Sequence, residues 1–173
     1  MADRRSAGQF SARSGAIMTN EVVALEKYEM TVERYGSFGE IESLVRAFED
    51  CSLPKPEWTH EAHLTVAMWY LFHCSGRDAT SRIRNGIKRF NAAKGVKTTP
   101  TGGYHETMTM FWICLVSRYL LFADASCSFM ELVNGMLDRC ADKKLPLEYY
   151  SRELLMSPRA RSSWVEPDLR PFV

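Results

Sequence analysis

Charge of one sign is what this chain lacks most plainly. Its 22 Lys and Arg nearly balance 21 Asp and Glu, for a formal net charge of +1. A protein that lives by neutralising phosphates would carry a basic excess, so nucleic acid is not an expected partner. Cysteine is present five times without a C-x-x-C pair. The count is odd, and Cys74, Cys114 and Cys140 fall within or at the ends of apolar helical patterns. They read as reduced, packed thiols of a cytoplasmic protein, with neither a disulfide framework nor an activated nucleophile. Long apolar runs are also missing. Arg118 and Ser117 interrupt the most apolar segment short of the roughly 20 residues a membrane span needs. Met1 to Ile17 lack the apolar centre of a secretory signal, and Met18 offers an alternative start. Residues 1–20 therefore read as a disordered leader, and residues 21–173 as one α-helical domain.

Strand alternation is scarce as well, apart from Tyr28, Met30 and Val32 in a stretch, Glu21 to Tyr35, that also fits helical spacing. No run after it has convincing strand periodicity. Ser37-Phe38-Gly39-Glu40 is a capping box ahead of Ile41, Leu44, Val45 and Phe48, and that helix ends near Asp50. Thr59 caps a helix running to about His73 that is apolar nearly all round. Asp78 is expected to cap the next helix, which sets Ile83, Ile87 and Phe90 on one stripe and Arg82, Arg84, Lys88 and Arg89 on a solvated face. A second apolar helix is expected from about His105 to Ala123, then a capped amphipathic one from Ser128. A last short helix should run from Leu145-Pro146 through about Met156. The tail from Ser157 to Val173 is irregular but holds Trp164, Val165, Leu169 and Phe172, so it should pack on the body. The expected fold is all-α: a compact single-domain helical bundle, with two central apolar helices and that irregular C-terminal tail.

Histidine is sparse too, and its distribution is informative. Three of the four histidines lie in Trp58-Thr59-His60-Glu61-Ala62-His63-Leu64 and Gly102-Gly103-Tyr104-His105-Glu106-Thr107. Each segment opens an apolar helix and sets a glutamate beside a histidine. His60 and His63, three apart on a helix, share a face about 60° apart. With His105 from the second segment they form a candidate metal set, for Zn or Fe(II), with an open coordination position. The spacing is not H-E-x-x-H, so a zincin protease is not indicated. Glu106 and Glu61 are the candidate acid/base residues, or simply acidic groups favoured by the helix dipole.

A metal-free site is the competing expectation. Unpaired amides at the two helix starts attract anions, and the turn Gly102-Gly103-Tyr104 lets backbone approach a carboxylate or phosphate, although G-K-[ST] is absent. The positive dipole end would keep His60 and His105 neutral. Arg159, with Arg161, is a candidate clamp for an anionic ligand. His73 sits at a helix C-terminus and is left out of the site.

The two histidine segments, together with Trp164-Val165-Glu166-Pro167-Asp168-Leu169, resemble an uncharacterised bacterial protein family, over most of the chain after about Gly36. That resemblance implies a bacterial, cytoplasmic setting and no activity. Three functions stay open. One is an enzyme on a small molecule with a histidine-rich, metal-binding pocket between two helix N-termini. The second is a non-catalytic module for a carboxylate- or phosphate-bearing ligand. The third is a structural protein that oligomerises, with a homodimer as one option, through its apolar tail and helices.

Overall fold

The structure is a computed structural model that describes residues 34–172. The leader at 1–20 and nearly all of the ambiguous stretch at 21–35 lie outside the described residues. Within them the chain is all-α. Seven α-helices follow one another: α1 (Phe38–Glu49), α2 (His60–His73), α3 (Gly76–Ala93), α4 (Glu106–Leu121), α5 (Phe129–Cys140), α6 (Arg152–Leu155) and α7 (Pro158–Ser162). Two 3-10 turns, Lys55–Glu57 and Leu145–Glu148, complete the set, and the one β-type pairing is an isolated bridge between Thr99 and Gly102.

Local chemistry fixes most helix starts. Ser37, Thr59 and Ser128 accept from backbone amides three residues on, and Ser128 with Glu131 forms a reciprocal capping box. At α1 the glutamate departs from that pattern: Glu40 accepts from the Gly36 amide and the Ser37 hydroxyl. The start of α3 also departs from expectation. Ser75, not Asp78, is the N-cap residue, and Asp78 accepts from the Ser75 hydroxyl. An acid in the first turn satisfies the dipole without taking the cap position. The expected last helix is broken into a 3-10 turn and α6, because Ser151 caps a new start, and the tail expected to be irregular opens with α7, capped by Ser157 with Pro158 at its first position.

α2 packs against α1, α3, α4 and α5. Its Leu64, Val66 and Met68 meet Ile41, Val45 and Phe48 of α1, Ile83 and Phe90 of α3, Ile113 and Val116 of α4, and Met136 and Leu137 of α5 in one buried cluster. At Gly86 a Cβ would sit 2.7 Å from the buried Phe48 ring, so a glycine there lets α3 close onto α1. α4 serves two cores. Phe111 faces a second cluster with Tyr150, Leu155, Ala160 and Val165. The tail joins this cluster through Val165, Trp164 and Phe172, while Leu169 is exposed. Thr107 fastens it further, donating to Ser163 O at 2.9 Å and accepting from the Val165 amide at 3.2 Å. The last turn of α4 is not central: Leu121 is 77% and Phe122 73% exposed. No helix among the described residues is long and apolar enough to cross a membrane.

Candidate functional site

The two histidine segments meet at one cavity of about 320 Å³. α2 contributes His60, His63 and Ala67; α3 contributes Ile83, Ile87 and Asn91. The turn before α4 brings Gly103, Tyr104 and His105, and α4 itself Met108, Thr109, Trp112 and Ile113. The three histidines line this one cavity, yet their ring nitrogens are committed differently.

His105 is the N-cap residue of α4, and Met108 N donates to its Nδ1 at 3.2 Å. Nε2 lies 2.8 Å from Leu155 O, and a carbonyl only accepts, so Nε2 carries the proton. Both nitrogens are thus used and the tautomer is fixed. Burial, chiefly, holds its pKa below the usual histidine range. In this arrangement the ring has no lone pair left for a metal. Among the described residues no group of three or more His, Cys, Asp or Glu side chains is arranged to hold a metal ion. The reason is tertiary: His105 binds the C-terminal segment and its own helix at once.

His60 and His63 each spend only one nitrogen. His60 Nε2 donates to Cys140 O at 2.9 Å, which in the neutral ring leaves Nδ1 as an acceptor. His63 Nδ1 donates to Thr59 O at 2.6 Å, leaving Nε2 as an acceptor. No protein hydrogen bond among the described residues uses either remaining nitrogen. The Trp58 ring lies tilted by 32° against His63 with centroids 3.8 Å apart, and Trp112 meets His60 edge-on at 4.6 Å. Desolvation, with a small contribution from the neighbouring His60, pushes the His63 pKa from 6.5 down to about 4. At neutral pH His63 is therefore an uncharged imidazole with a free lone pair.

The other sequence candidates separate. Glu61 pairs with Arg34, which also approaches Asp138 at 3.8 Å, and does not line the cavity. Glu106 is 6% exposed and lies behind the cavity wall, where Arg84 Nη2 meets its Oε1 at 2.5 Å and the Tyr104 hydroxyl donates to its Oε2 at 2.9 Å. Burial and that bond push the Tyr104 pKa up to about 12, so the phenol stays protonated. Arg84, whose side chain is 38% exposed, reaches from α3 to this carboxylate. Gly103 lines the cavity, whereas Gly102 pairs with Thr99 through two backbone hydrogen bonds of 3.0 and 3.4 Å. Arg159 is exposed on α7 and does not line the cavity. The arginine that reaches the glycine turn is Arg161, which donates to Pro100 O at 3.1 Å and Gly103 O at 3.4 Å. His73 bonds Trp69 O at 2.8 Å at the far end of α2, outside the site.

Sequence reasoning missed Trp112, Asn91 and the Ile83–Ile87 pair as pocket residues. The isoleucine stripe was legible only as core, and nothing in its spacing distinguishes a core face from a pocket wall. Burial raises the pKa of Cys114 and pushes Cys140 up to about 11, against thiolate chemistry at these two positions.

Nothing matches. The chain has no counterpart among protein-family models, curated proteins or solved structures that would supply an activity. The functional reading therefore rests on the cavity.

The state of the histidines has a thermodynamic consequence. In the unfolded chain His63 regains its ordinary pKa, so between about pH 6.5 and pH 4 the unfolded state binds more protons than the folded one. Stability is then full above pH 6.5 and is lost as pH falls through that window, by up to about 1.4 kcal/mol per pH unit. His105 acts in the same direction. Urea unfolding at pH 7.5 and 5.5 should differ by about 1 kcal/mol more in the wild type than in His63→Gln. Equal differences in the two proteins would mean that His63 is not held neutral.

Proposed function

We propose that the chain is a small-molecule-binding protein whose site is the cavity between α2, α3 and the start of α4. The observation that carries this reading is His63: a neutral imidazole with an unused Nε2, beside His60 with an unused Nδ1, in an otherwise largely apolar pocket. A volume of about 320 Å³ is at the lower end of the range in which small ligands are held. Two acceptors without a hydrogen-bond partner among the described residues fix the orientation of a ligand that donates to them.

Binding is favoured over catalysis because the expected acid/base pair is elsewhere. Glu61 and Glu106 are engaged by Arg34 and by Arg84 with Tyr104. With a pKa of about 4, His63 is also a weak general base at neutral pH. A Zn or Fe(II) ion would find one free nitrogen on each of His60 and His63 and none on His105, so it would need ligands from outside this protein set.

The test uses 4-fluorophenol followed by ¹⁹F NMR. Saturable one-to-one binding is expected in the wild type and a loss of at least tenfold in Ala67→Met, which fills the cavity, with the helical circular dichroism unchanged. Undiminished binding in Ala67→Met would move the site elsewhere. A parallel Zn²⁺ titration gives the rival outcome: stoichiometric binding abolished by both His60→Ala and His63→Ala would restore the metal reading.

A further inference from the structure

The cavity lining contains no Lys, Arg, Asp or Glu. Three cations contact residues at or next to the lining without lining the cavity themselves, although the Arg84 Nε has no hydrogen-bond partner among the described residues. Arg84 is held by Glu106, Lys88 Nζ sits 4.5 Å over the Tyr104 ring, and Arg161 is spent on the carbonyls of Pro100 and Gly103. An ionic ligand would lose its hydration and find no counter-charge. The histidines sharpen the point. Their free nitrogens are acceptors, which face a carboxylate or phosphate lone pair to lone pair.

The remaining surface is aromatic and aliphatic. The Trp112 ring meets His60 on α2 edge-on, and Ile83 and Ile87 form the α3 side. An indole and two branched aliphatic side chains in one lining favour a flat apolar ring system, and about 320 Å³ suits two fused rings. We infer that the pocket selects an uncharged bicyclic aromatic molecule presenting an N–H or O–H donor at its edge to His60 Nδ1 and His63 Nε2. This inference rests on the cavity being a small-molecule site. Asn91 supplies an amide on the α3 side that can meet a second polar edge of the same ligand.

Four naphthalene probes separate the possibilities: 2-naphthol, naphthalene, 2-naphthoate and 2-naphthylmethylammonium. Each is titrated at pH 7.5 into the full chain with ¹⁵N-labelled histidine, and the imidazole resonances of His60 and His63 are followed. The expected order has 2-naphthol tightest, with a Kd about tenfold below that of naphthalene, the worth of one hydrogen bond to an otherwise unpaired acceptor. The two ions should bind at least tenfold more weakly than naphthalene, and His63→Leu should bring 2-naphthol to the level of naphthalene. If 2-naphthoate or the ammonium binds as tightly as 2-naphthol and shifts the same resonances, the ligand class is wrong while the pocket stands. If no probe moves either imidazole, the small-molecule reading falls with it.

Discussion

Arg84→Met is expected to lower the unfolding free energy by about 3 kcal/mol and the Tm by roughly 10 °C. Glu106 is buried at the start of α4, and Arg84 from α3 is its charged partner. Removing the guanidinium leaves the 6%-exposed Glu106 with the Tyr104 hydroxyl as its remaining side-chain hydrogen-bond partner among the described residues. The cost of such a change is mainly that of the stranded group, more than the worth of the pair itself. The double variant Arg84→Met/Glu106→Gln should therefore recover most of the loss, because a neutral amide can still accept from Tyr104. Chemical denaturation of the four members of the cycle gives the coupling directly. Additive losses would mean that the two residues do not act as a pair. Tyr104 lines the cavity, so Arg84→Met should also weaken 4-fluorophenol binding without touching the pocket itself.

Gly103→Ala should be comparably damaging, at about 3 kcal/mol. The backbone there has φ +77, which by itself costs an L-residue about 1–2 kcal/mol. A Cβ would also stand 2.4 Å from Lys97 O and 2.8 Å from the Thr98 Cα, both backbone atoms that cannot rotate away. The turn that carries Tyr104 and His105 would have to open. Two neighbours serve as controls. Gly95 has φ +69 with nothing within 4 Å of a Cβ, so Gly95→Ala should show the conformational cost alone. At Gly102 a Cβ meets only the Thr99 hydroxyl at 3.4 Å, so Gly102→Ala should be close to neutral. If thermal denaturation ranks the three alike, the close approach at Gly103 is not what holds the turn.

The contrast between those glycines illustrates what the sequence can and cannot convey. Gly102-Gly103 looked like a unit because the residues are adjacent; only the fold of the Lys97–Gly103 loop distinguishes them. Helix starts were legible at Ser37, Thr59 and Ser128, where a serine or threonine caps its own helix through a bond that spans three residues. The break at Ser157-Pro158 carried the same local signal but was hidden inside a tail that looked irregular. His105 is the instructive case. A helix start near it was evident, and so was its company with His60 and His63. Its ring, however, is consumed by Leu155, fifty residues on, and by the Met108 amide. No spacing rule anticipates that, and it turns a candidate ligand into a cap that ties α4 to the C-terminal segment. Arg84 and Glu106 tell the same story from α3: each reads locally as a helix-surface charge, and only the packing of α3 against the start of α4 makes them partners.

The central claim is that His60 and His63 present free acceptors to an uncharged pocket while His105 is locked. Long-range ¹H–¹⁵N correlation on the histidine side chains between pH 7.5 and 4 tests it most directly. The account predicts His63 as the neutral Nδ1–H tautomer, titrating near pH 4, with His105 as the neutral Nε2–H tautomer and insensitive to added Zn²⁺. A His63 that titrates near its ordinary value of 6.5, or three rings that shift together when Zn²⁺ is added, would contradict it.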